Sequence, residues 1–273
     1  MSSRVAFATC VQLGLSCIEE IYRIGGKLDL LITLKDERGK EKSGRVYLGK
    51  IASKEEIPIL KINNINDNEV IKELKYHKID WLFIIGWSQI AKKEVLNVPI
   101  KGCIGMHPTL LPEGRGRASI PWAIIKGLKR TGVTIFKLDE GVDTGDIIGQ
   151  DVIYLNEKIT ATELYKKVNE MHVHLITKYW ERIINNKIVL KKQDESKASE
   201  WFGRKPEDGE LLTTMSMKEA DRLVRAVTHP YPGAFYKIGS KTVRVWEAQT
   251  SKKQGAFQLK DGFLVPVNFE IEE

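Results

Sequence analysis

Short apolar runs alternate with stretches of helical periodicity over about the first 185 residues of this chain, and this alternation constrains its fold most strongly. The runs at 4–9 and 28–34 predict strands, and the almost wholly apolar run at 81–86 predicts a strand buried on both faces. Apolar residues at helical spacing over 160–184 predict a long helix. The pattern is typical of the α/β class, with a Rossmann-like, mostly parallel sheet.

The pattern changes after a charged stretch at 191–199. One more helix is predicted at 217–227, and strand-like runs separated by glycines follow at 234–247 and 256–270. We therefore predict an α/β domain over 1–190 and a small, mainly β C-terminal subdomain over 200–273.

Composition narrows the class of protein. Hydrophobic residues make up 42% and charged residues 29%, no run approaches a membrane span, and no apolar signal region opens the chain, so we expect a cytoplasmic protein. A net charge of +7 suits a polyanionic partner, either a nucleotide diphosphate or RNA. Cys10, Cys17 and Cys103 are odd in number and lack metal-ligand spacing, which predicts reduced structural thiols.

Three common catalytic signatures are absent from the sequence. It has no G-x-G-x-x-G after the first predicted strand, no G-x-x-x-x-G-K-[ST] and no H-E-x-x-H. The sequence therefore lacks the main signature of a dinucleotide-dependent dehydrogenase, of a P-loop enzyme and of a zinc protease.

The segment 103–117 follows a predicted buried strand and contains His107. Ligands of open α/β sheets bind beyond the carboxyl ends of strands, so His107 occupies a position suited to catalysis. A second polar cluster, 139–146, follows the next strand, and if the two strands are neighbours its acids should emerge at the same sheet edge as His107. A histidine held by a buried carboxylate is a general base near neutral pH. From composition alone, a capping or structural role for His107 is equally open.

A known family shares these motifs. The run from His107 to Arg117, H-P-T-L-L-P-E-G-R-G-R, occurs with Pro121-Trp122-Ala123-Ile124 and Asp143-Thr144-Gly145-Asp146. The combination resembles the 10-formyltetrahydrofolate-dependent formyltransferases, which act on methionyl-tRNA, glycinamide ribonucleotide or sugar nucleotides. The later segments 204–210 and 230–235 are similar to the transfer-RNA and sugar branches only. The resemblance covers roughly residues 80–236.

The resemblance implies a role for each matching residue. His107 would take the proton of an attacking amine, and Asp143 would hold the imidazole and stabilise its charged form. The formyl donor, 10-formyltetrahydrofolate, is expected against Gly86, Trp87, Ser88, Gln89, Ile90, Leu110, Leu111, Pro112, Asp139 and Asp143. The acceptor is expected against Thr109, Arg115, Gly116, Arg117, Arg204, Tyr231 and Phe235. Arg115 and Arg117 could equally bind phosphate or fix their loop, and packing competes with base stacking for Tyr231 and Phe235.

One position departs from the family pattern. Gly105 stands where the family usually has an asparagine, whose amide stabilises the tetrahedral oxyanion. Loss of an oxyanion donor in other enzymes costs about 2.7–4 kcal/mol. Protonated His107, a backbone N–H or Thr109 could substitute, and we favour an active enzyme over a degenerate folate- or nucleotide-binding protein.

The acceptor amine is the remaining question. The motif with glycine before the histidine looks most like formyltransferases of pseudaminic-type 4-amino sugars. The chain ends about 40 residues after Pro230-Tyr231-Pro232-Gly233, and its last residues are acidic, which disfavours RNA binding. We therefore predict a nucleotide-linked amino sugar as acceptor, with UDP preferred over dTDP, no membrane and no stable nucleic-acid partner. A homodimer is compatible with this prediction. The alternative is a methionyl-tRNA formyltransferase.

Overall fold

The computed structural model describes residues 3–41 and 44–272, with only the backbone described at 39–41. The strands in chain order are β1 (Val5–Ala8), β2 (Leu30–Leu34), β3 (Ile59–Ile62), β4 (Trp81–Ile85), β5 (Gly102–His107), β6 (Arg115–Gly116), β7 (Arg130–Lys137), β8 (Ile147–Tyr154), β9 (Glu200–Trp201), β10 (Ala234–Ile238), β11 (Lys241–Ser251), β12 (Phe257–Leu259) and β13 (Gly262–Glu272). The α-helices are α1 (Gln12–Arg23), α2 (Gly49–Lys54), α3 (Asn68–Tyr76), α4 (Lys93–Leu96), α5 (Ser119–Ile125), α6 (Ala161–Ile184) and α7 (Met217–Val227).

The larger sheet has seven strands in the order β3-β2-β1-β4-β5-β7-β8. Its first five strands pair in parallel, and β7 runs antiparallel to β5. The order 3-2-1-4-5 is that of doubly wound, nucleotide-binding sheets. The prediction of a Rossmann-like, mostly parallel α/β fold is confirmed.

Helices cover both faces of the parallel strands, which explains their almost continuous apolar sequences. One face packs against α3 and α4 through a cluster that includes Ala6, Leu82 and Val95. On the other face Phe7 stacks on Phe83 at 5.8 Å between ring centroids, and Trp180 of α6 follows at 5.6 Å from Phe83. This core fixes the height at which β4 and β5 end, and therefore where the loops after them begin.

The chain forms two compact units, the first comprising 1–115, 132–152 and 168–200, the second 116–131, 153–167 and 201–273. The second unit contains the antiparallel sheet β10-β11-β13-β12, which confirms the prediction of a small, mainly β C-terminal part. Unlike the contiguous division predicted at 190–200, it also takes in 116–131 and 153–167, because α5 packs against α7.

Helix α7 has a reciprocal N-terminal cap. The Ser216 N–H donates to Glu219 Oε2 at 2.8 Å, and the Glu219 N–H donates to Ser216 Oγ at 3.3 Å. Within 3–41 and 44–272, none of the helices has the length and apolar composition that a membrane span requires.

Candidate active site

His107 is the last residue of β5 and is only 7% exposed. Its Nδ1 lies 3.4 Å from Asp143 Oδ2, and its Nε2 lies 2.8 Å from the carbonyl oxygen of Gly114. Since a carbonyl oxygen can only accept a hydrogen bond, Nε2 carries a proton. The imidazole is therefore held between a neutral acceptor and an acidic side chain.

The two contacts also determine which ring nitrogen has a place for a second proton. With a proton only on Nε2, the Nδ1 lone pair faces the Asp143 carboxylate, whereas protonation of Nδ1 gives each ring nitrogen an acceptor. The carboxylate also balances the positive charge that results. His107 can accordingly accept a proton and hold it beside Asp143.

Asp143 approaches His107 by a route that the sequence argument did not foresee. Strand β7 is antiparallel to β5, with Thr134 opposite His107 and Lys137 opposite Ile104, so the carboxyl end of β7 lies away from His107. The two strands are neighbours, as the expectation required, but their antiparallel direction does not itself bring the acids to His107. Instead the 139–146 loop folds back, and Asp143 takes a left-handed backbone conformation with φ of +56°, which aspartate tolerates better than most residues.

The other residues of this loop maintain its shape. Asp139 Oδ1 accepts hydrogen bonds from the Gly141 N–H at 3.1 Å and the Thr144 hydroxyl at 2.7 Å. A Cβ at Gly145 would lie 1.8 Å from the Lys137 carbonyl oxygen, so only glycine fits there. The Asp-Thr-Gly motif thus has a structural basis, and the Asp139 carboxylate is engaged within its own loop.

The loop after His107 is tied to β7 and β8. Thr134 Oγ1 donates to the Thr109 carbonyl at 2.7 Å, and the Gln150 amide donates to the Leu111 carbonyl at 2.7 Å. Leu111 is 2% exposed and packs with Phe136 and Ile147, so its side chain belongs to the core.

Thr109 differs from its neighbours in one respect. Its side chain is buried, and Oγ1 has no hydrogen-bond partner among the described residues. Leu110 and Pro112, on either side of the buried Leu111, are partly exposed.

The segment after β4 contains the remaining predicted folate residues. Gly86 has a φ of +66°, and a Cβ there would lie 2.3 Å from Val11 Cγ2, so a glycine is required. The Gln89 amide accepts from the Ile65 N–H and donates to the Asn63 carbonyl, each at 2.9 Å, and Trp87 packs against the core. These contacts are structural, which leaves the exposed side chains of Ser88 and Ile90 for a ligand.

Arg115 fixes its loop, the second of the two roles considered from the sequence. Its side chain is 6% exposed and donates to Gln193 Oε1 and to both carboxylate oxygens of Glu195. These hydrogen bonds hold the pKa of Glu195 below its usual value. Four of the five guanidinium N–H groups are engaged by these two side chains, which favours the loop-fixing role over the predicted contact with the acceptor.

Apart from Thr109, which lies in the first unit, the other predicted acceptor residues belong to the second unit. Gly116 has a φ of +105°, and a Cβ there would lie 2.5 Å from the Trp201 carbonyl oxygen. Arg117 is exposed, and the Arg204 guanidinium lies 5.0 Å from the centre of the Trp122 ring. Two aromatic residues are half-buried: Tyr231, whose pKa is raised by burial, and Phe235, which lies under Arg244.

Sequence reasoning missed three parts of the site: the Gly114 carbonyl, Gln193 and Ser199. Gln193 and Ser199 lie in the charged stretch 191–199, which the sequence places between the two predicted domains. Composition gave no signal for them, because their partners are mostly backbone atoms of distant loops.

The cysteines and His172 are buried in the core and have structural roles. The three cysteines are buried thiols, and burial raises the pKa of Cys17 and that of Cys103, the latter to about 12, so these two thiols stay protonated. Burial lowers the pKa of His172 to about 4, and its Nδ1 donates to the Val168 carbonyl. Among the residues that the structure describes, no three His, Cys, Asp or Glu side chains are grouped to hold a metal ion.

The Rossmann-like sheet carries a histidine–aspartate pair at the end of β5. These features define an α/β enzyme whose site can accept and return a proton. The chain belongs to the formyl transferase family. The family model matches residues 25–179, and the model of the formyl transferase C-terminal domain matches residues 204–267. The prediction of a formyltransferase is thereby confirmed.

Sequence relatives include methionyl-tRNA formyltransferases. That of Lachnospira eligens is 29% identical over 262 residues, which cover 94% of this chain and 82% of the relative. That of Clostridium perfringens is 33% identical over 232 residues, which cover 85% of this chain and 74% of the relative.

Solved structures share the fold over nearly the whole chain. An N-formyltransferase from Helicobacter canadensis, in complex with folinic acid and dTDP-3-aminofucose, has a TM-score of 0.73 and 21% identity and covers 98% of this chain and 100% of that one. A 4-N formyltransferase from Francisella tularensis has a TM-score of 0.70 and 23% identity over 99% and 98% of the two chains. WlaRD, a sugar 3N-formyl transferase solved in the presence of dTDP and 5-N-formyl-THF, has a TM-score of 0.70 and 20% identity over 98% and 96%.

Proposed function

We propose that this chain transfers the formyl group of 10-formyltetrahydrofolate to the amine of a nucleotide-linked amino sugar. The observation that carries the proposal is the His107–Asp143 pair at the end of β5, in a chain of the formyl transferase family. Reduced folates accompany two of the similar solved structures. A reduced folate also suits this site, because Ser88 and Ile90 are exposed after β4, and Leu110 and Pro112 are partly exposed in the loop after β5.

The folate supplies a formyl carbon activated by its bond to N10. His107 accepts the proton that the acceptor amine loses as it forms its bond to this carbon, and returns it to the departing nitrogen. The ring nitrogen that takes this proton is Nδ1, because Nε2 already carries one toward the Gly114 carbonyl, and Asp143 beside Nδ1 balances the charge on the imidazole in between. Acid–base assistance of this kind typically contributes about 10²–10⁴-fold in rate.

Two observations support a nucleotide-linked sugar as the acceptor: the low charge of the C-terminal segment and the ligands of the similar solved structures. The described C-terminal segment 237–272 has six basic and four acidic side chains, and Arg244 is engaged by Glu272 at 2.5 Å. A net charge of two is modest for a surface that must hold an RNA backbone through many phosphate contacts. Two similar structures contain dTDP or a dTDP-linked amino sugar. Arg117, Arg204, Tyr231 and Phe235 stay our proposed acceptor residues, and UDP our preferred nucleotide.

The second candidate is methionyl-tRNA, since the sequence relatives at 29% and 33% identity carry that activity in their names. Calorimetry with UDP and dTDP, beside a filter-binding titration with charged initiator tRNA, separates the two. We expect nucleotide binding and only weak RNA binding at physiological salt, with an affinity for RNA that falls steeply as salt rises. Tight RNA binding without nucleotide binding would promote the second candidate.

A further inference from the structure

The charged segment 191–199 contacts both loops that supply acceptors to His107. At its C-terminal end, Ser199 Oγ accepts from the Gly114 N–H at 3.0 Å, and the Ser199 carbonyl accepts from the Arg115 N–H at 2.9 Å. Gly114 is the residue whose carbonyl faces His107 Nε2. At its N-terminal end, Lys191 forms a reciprocal pair of backbone hydrogen bonds with Ile147.

Gln193 joins the two loops through a single amide group. Its Nε2 donates to the carbonyl oxygens of Asp143 and Gly145, each at 2.8 Å. Its Oε1 accepts from Arg115 Nη2 at 2.8 Å and Nε at 3.1 Å. Both donors of the amide are used, and its oxygen is shared by a buried guanidinium. No residue type other than glutamine offers this reach together with both a donor pair and an acceptor.

We propose that Gln193 is a positioning residue for the His107–Asp143 pair. Its N–H groups bind the carbonyls of Asp143 and Gly145 and so hold the loop with Asp143 in its left-handed conformation, and this backbone sets the 3.4 Å separation between the carboxylate and Nδ1. Arg115 holds the other side of the amide and orients it. The inference rests on the proposed function, in which this pair moves the proton. A misplacement of about 1 Å in such a pair can lower a rate about a hundredfold.

Two substitutions of Gln193 separate its contacts. Gln193→Glu keeps an acceptor for Arg115 but places a carboxylate oxygen against the carbonyls of Asp143 and Gly145. Gln193→Leu removes both contacts. We expect each to lower kcat about ten- to a hundredfold, with KM values for donor and acceptor unchanged within about twofold. Gln254→Glu, at an exposed glutamine of the second unit, is the matched control and should retain wild-type kcat. Equal kcat values for Gln193→Glu and the control would overturn the proposal.

A double-mutant cycle with Asp143→Ala distinguishes positioning from general destabilisation. If Gln193 acts through Asp143, adding Gln193→Leu to Asp143→Ala lowers kcat by no more than about twofold, because the side chain that it positions is already gone. A residue that only stabilises the fold would lower kcat by the same factor in both backgrounds. That multiplicative result contradicts the proposal.

A third measurement does not depend on turnover. The ¹⁵N signals of the His107 ring nitrogens report where the imidazole carries protons, and the His107→Ala variant assigns them. Gln193→Leu should shift the Nδ1 signal, and Gln254→Leu should not. If the wild type formylates no amine, the proposed function fails while this spectrum still decides the role of Gln193. Identical His107 signals in Gln193→Leu and wild type would overturn that role.

Discussion

His107 lies between two acceptors of different strength, the neutral carbonyl of Gly114 and the carboxylate of Asp143. Hydrogen bonds to a charged acceptor are roughly twice as strong as those between neutral groups. The two side chains therefore have separate roles. The imidazole carries the proton, and the carboxylate stays negatively charged beside it.

His107→Ala should abolish turnover and leave the fold intact. Since the imidazole handles the amine proton, kcat should fall by about 10²–10⁴-fold, as for other acid–base residues. His174→Ala is a suitable control, because His174 is 59% exposed and pairs with Asp151, away from His107 and Asp143. Steady-state kinetics with circular dichroism checks both parts. More than about a tenth of wild-type kcat in His107→Ala would refute the role.

Asp143→Asn tests charge apart from backbone geometry. Asparagine tolerates a φ of +56° as well as aspartate does, so the loop should keep its path while the negative charge is lost. We expect kcat to fall about a hundredfold or more, with little change in KM. The comparison is Asp146→Asn, the same change three residues further along the loop. A larger loss of kcat in Asp146→Asn would reverse the assignment.

At the element scale, the pairing of β5 with β7 explains why the usual asparagine is missing. Gly105 lies opposite Phe136 in this ladder. A Cβ at Gly105 would lie 2.7 Å from Leu138 Cδ2 and 3.2 Å from Phe136 Cε1. Leu138 thus fills the space that a side chain at 105 would need, and the two positions form one packing unit.

Gly105→Asn should accordingly destabilise the protein without raising kcat. Overpacking of this kind typically costs about 1–3 kcal/mol, measured here by chemical denaturation. Gly105→Asn with Leu138→Ala should recover part of that loss. Gly49→Asn is the control, since nothing lies within 4 Å of a Cβ at that glycine. A Gly105→Asn variant of wild-type stability and higher kcat would contradict this packing argument.

A second element-scale contact joins α1 to α6. Glu20 of α1 is 6% exposed and accepts hydrogen bonds from Arg23 at 2.6 Å and from the Thr177 hydroxyl of α6. The Arg23 guanidinium holds the pKa of Glu20 below its ordinary value of about 4.5. Because folding lowers this pKa, the contribution of Glu20 to stability is present above pH 4.5 and is lost as pH falls through the folded-state value.

Glu20→Gln should therefore lower the free energy of unfolding at neutral pH, by up to about 3 kcal/mol for hydrogen bonds to a charged group. The difference from wild type should shrink as the pH is taken below 4.5. Urea denaturation at several pH values measures it, with the exposed neighbour in Glu19→Gln as control. A difference that is constant across this pH range would show that the charge of Glu20 contributes nothing.

At the scale of the whole molecule, apolar patterning was sufficient to predict the α/β class, the parallel strands and the β-rich C-terminal part. Strand direction was not predictable after β5, because a buried apolar run has the same composition in either direction. The sequence placed His107 after β5 on general grounds, but the fold-back of the 139–146 loop depends on Gly145 and Thr144 contacts that no periodicity reports.

The charged stretch 191–199 shows why other site residues escaped prediction. Charge and polarity are typical of a linker, yet Gln193 and Ser199 bind backbone groups of two distant loops. Arg115 looked equally suited to bind phosphate or to fix its loop, and the burial of its guanidinium against Gln193 and Glu195 favours the second role. Such roles depend on long-range partners, which a single sequence does not identify.

A product assay measures formyl transfer from a reduced folate to a sugar-linked amine. The purified chain is incubated with 10-formyltetrahydrofolate labelled with ¹³C in the formyl group, and with UDP- and dTDP-linked 3-amino and 4-amino sugars or with methionyl-tRNA. We predict ¹³C-formamide on a nucleotide-linked sugar, none on methionyl-tRNA, and none on any acceptor with His107→Ala. Label on methionyl-tRNA alone, or equal labelling by wild type and His107→Ala, would contradict the account.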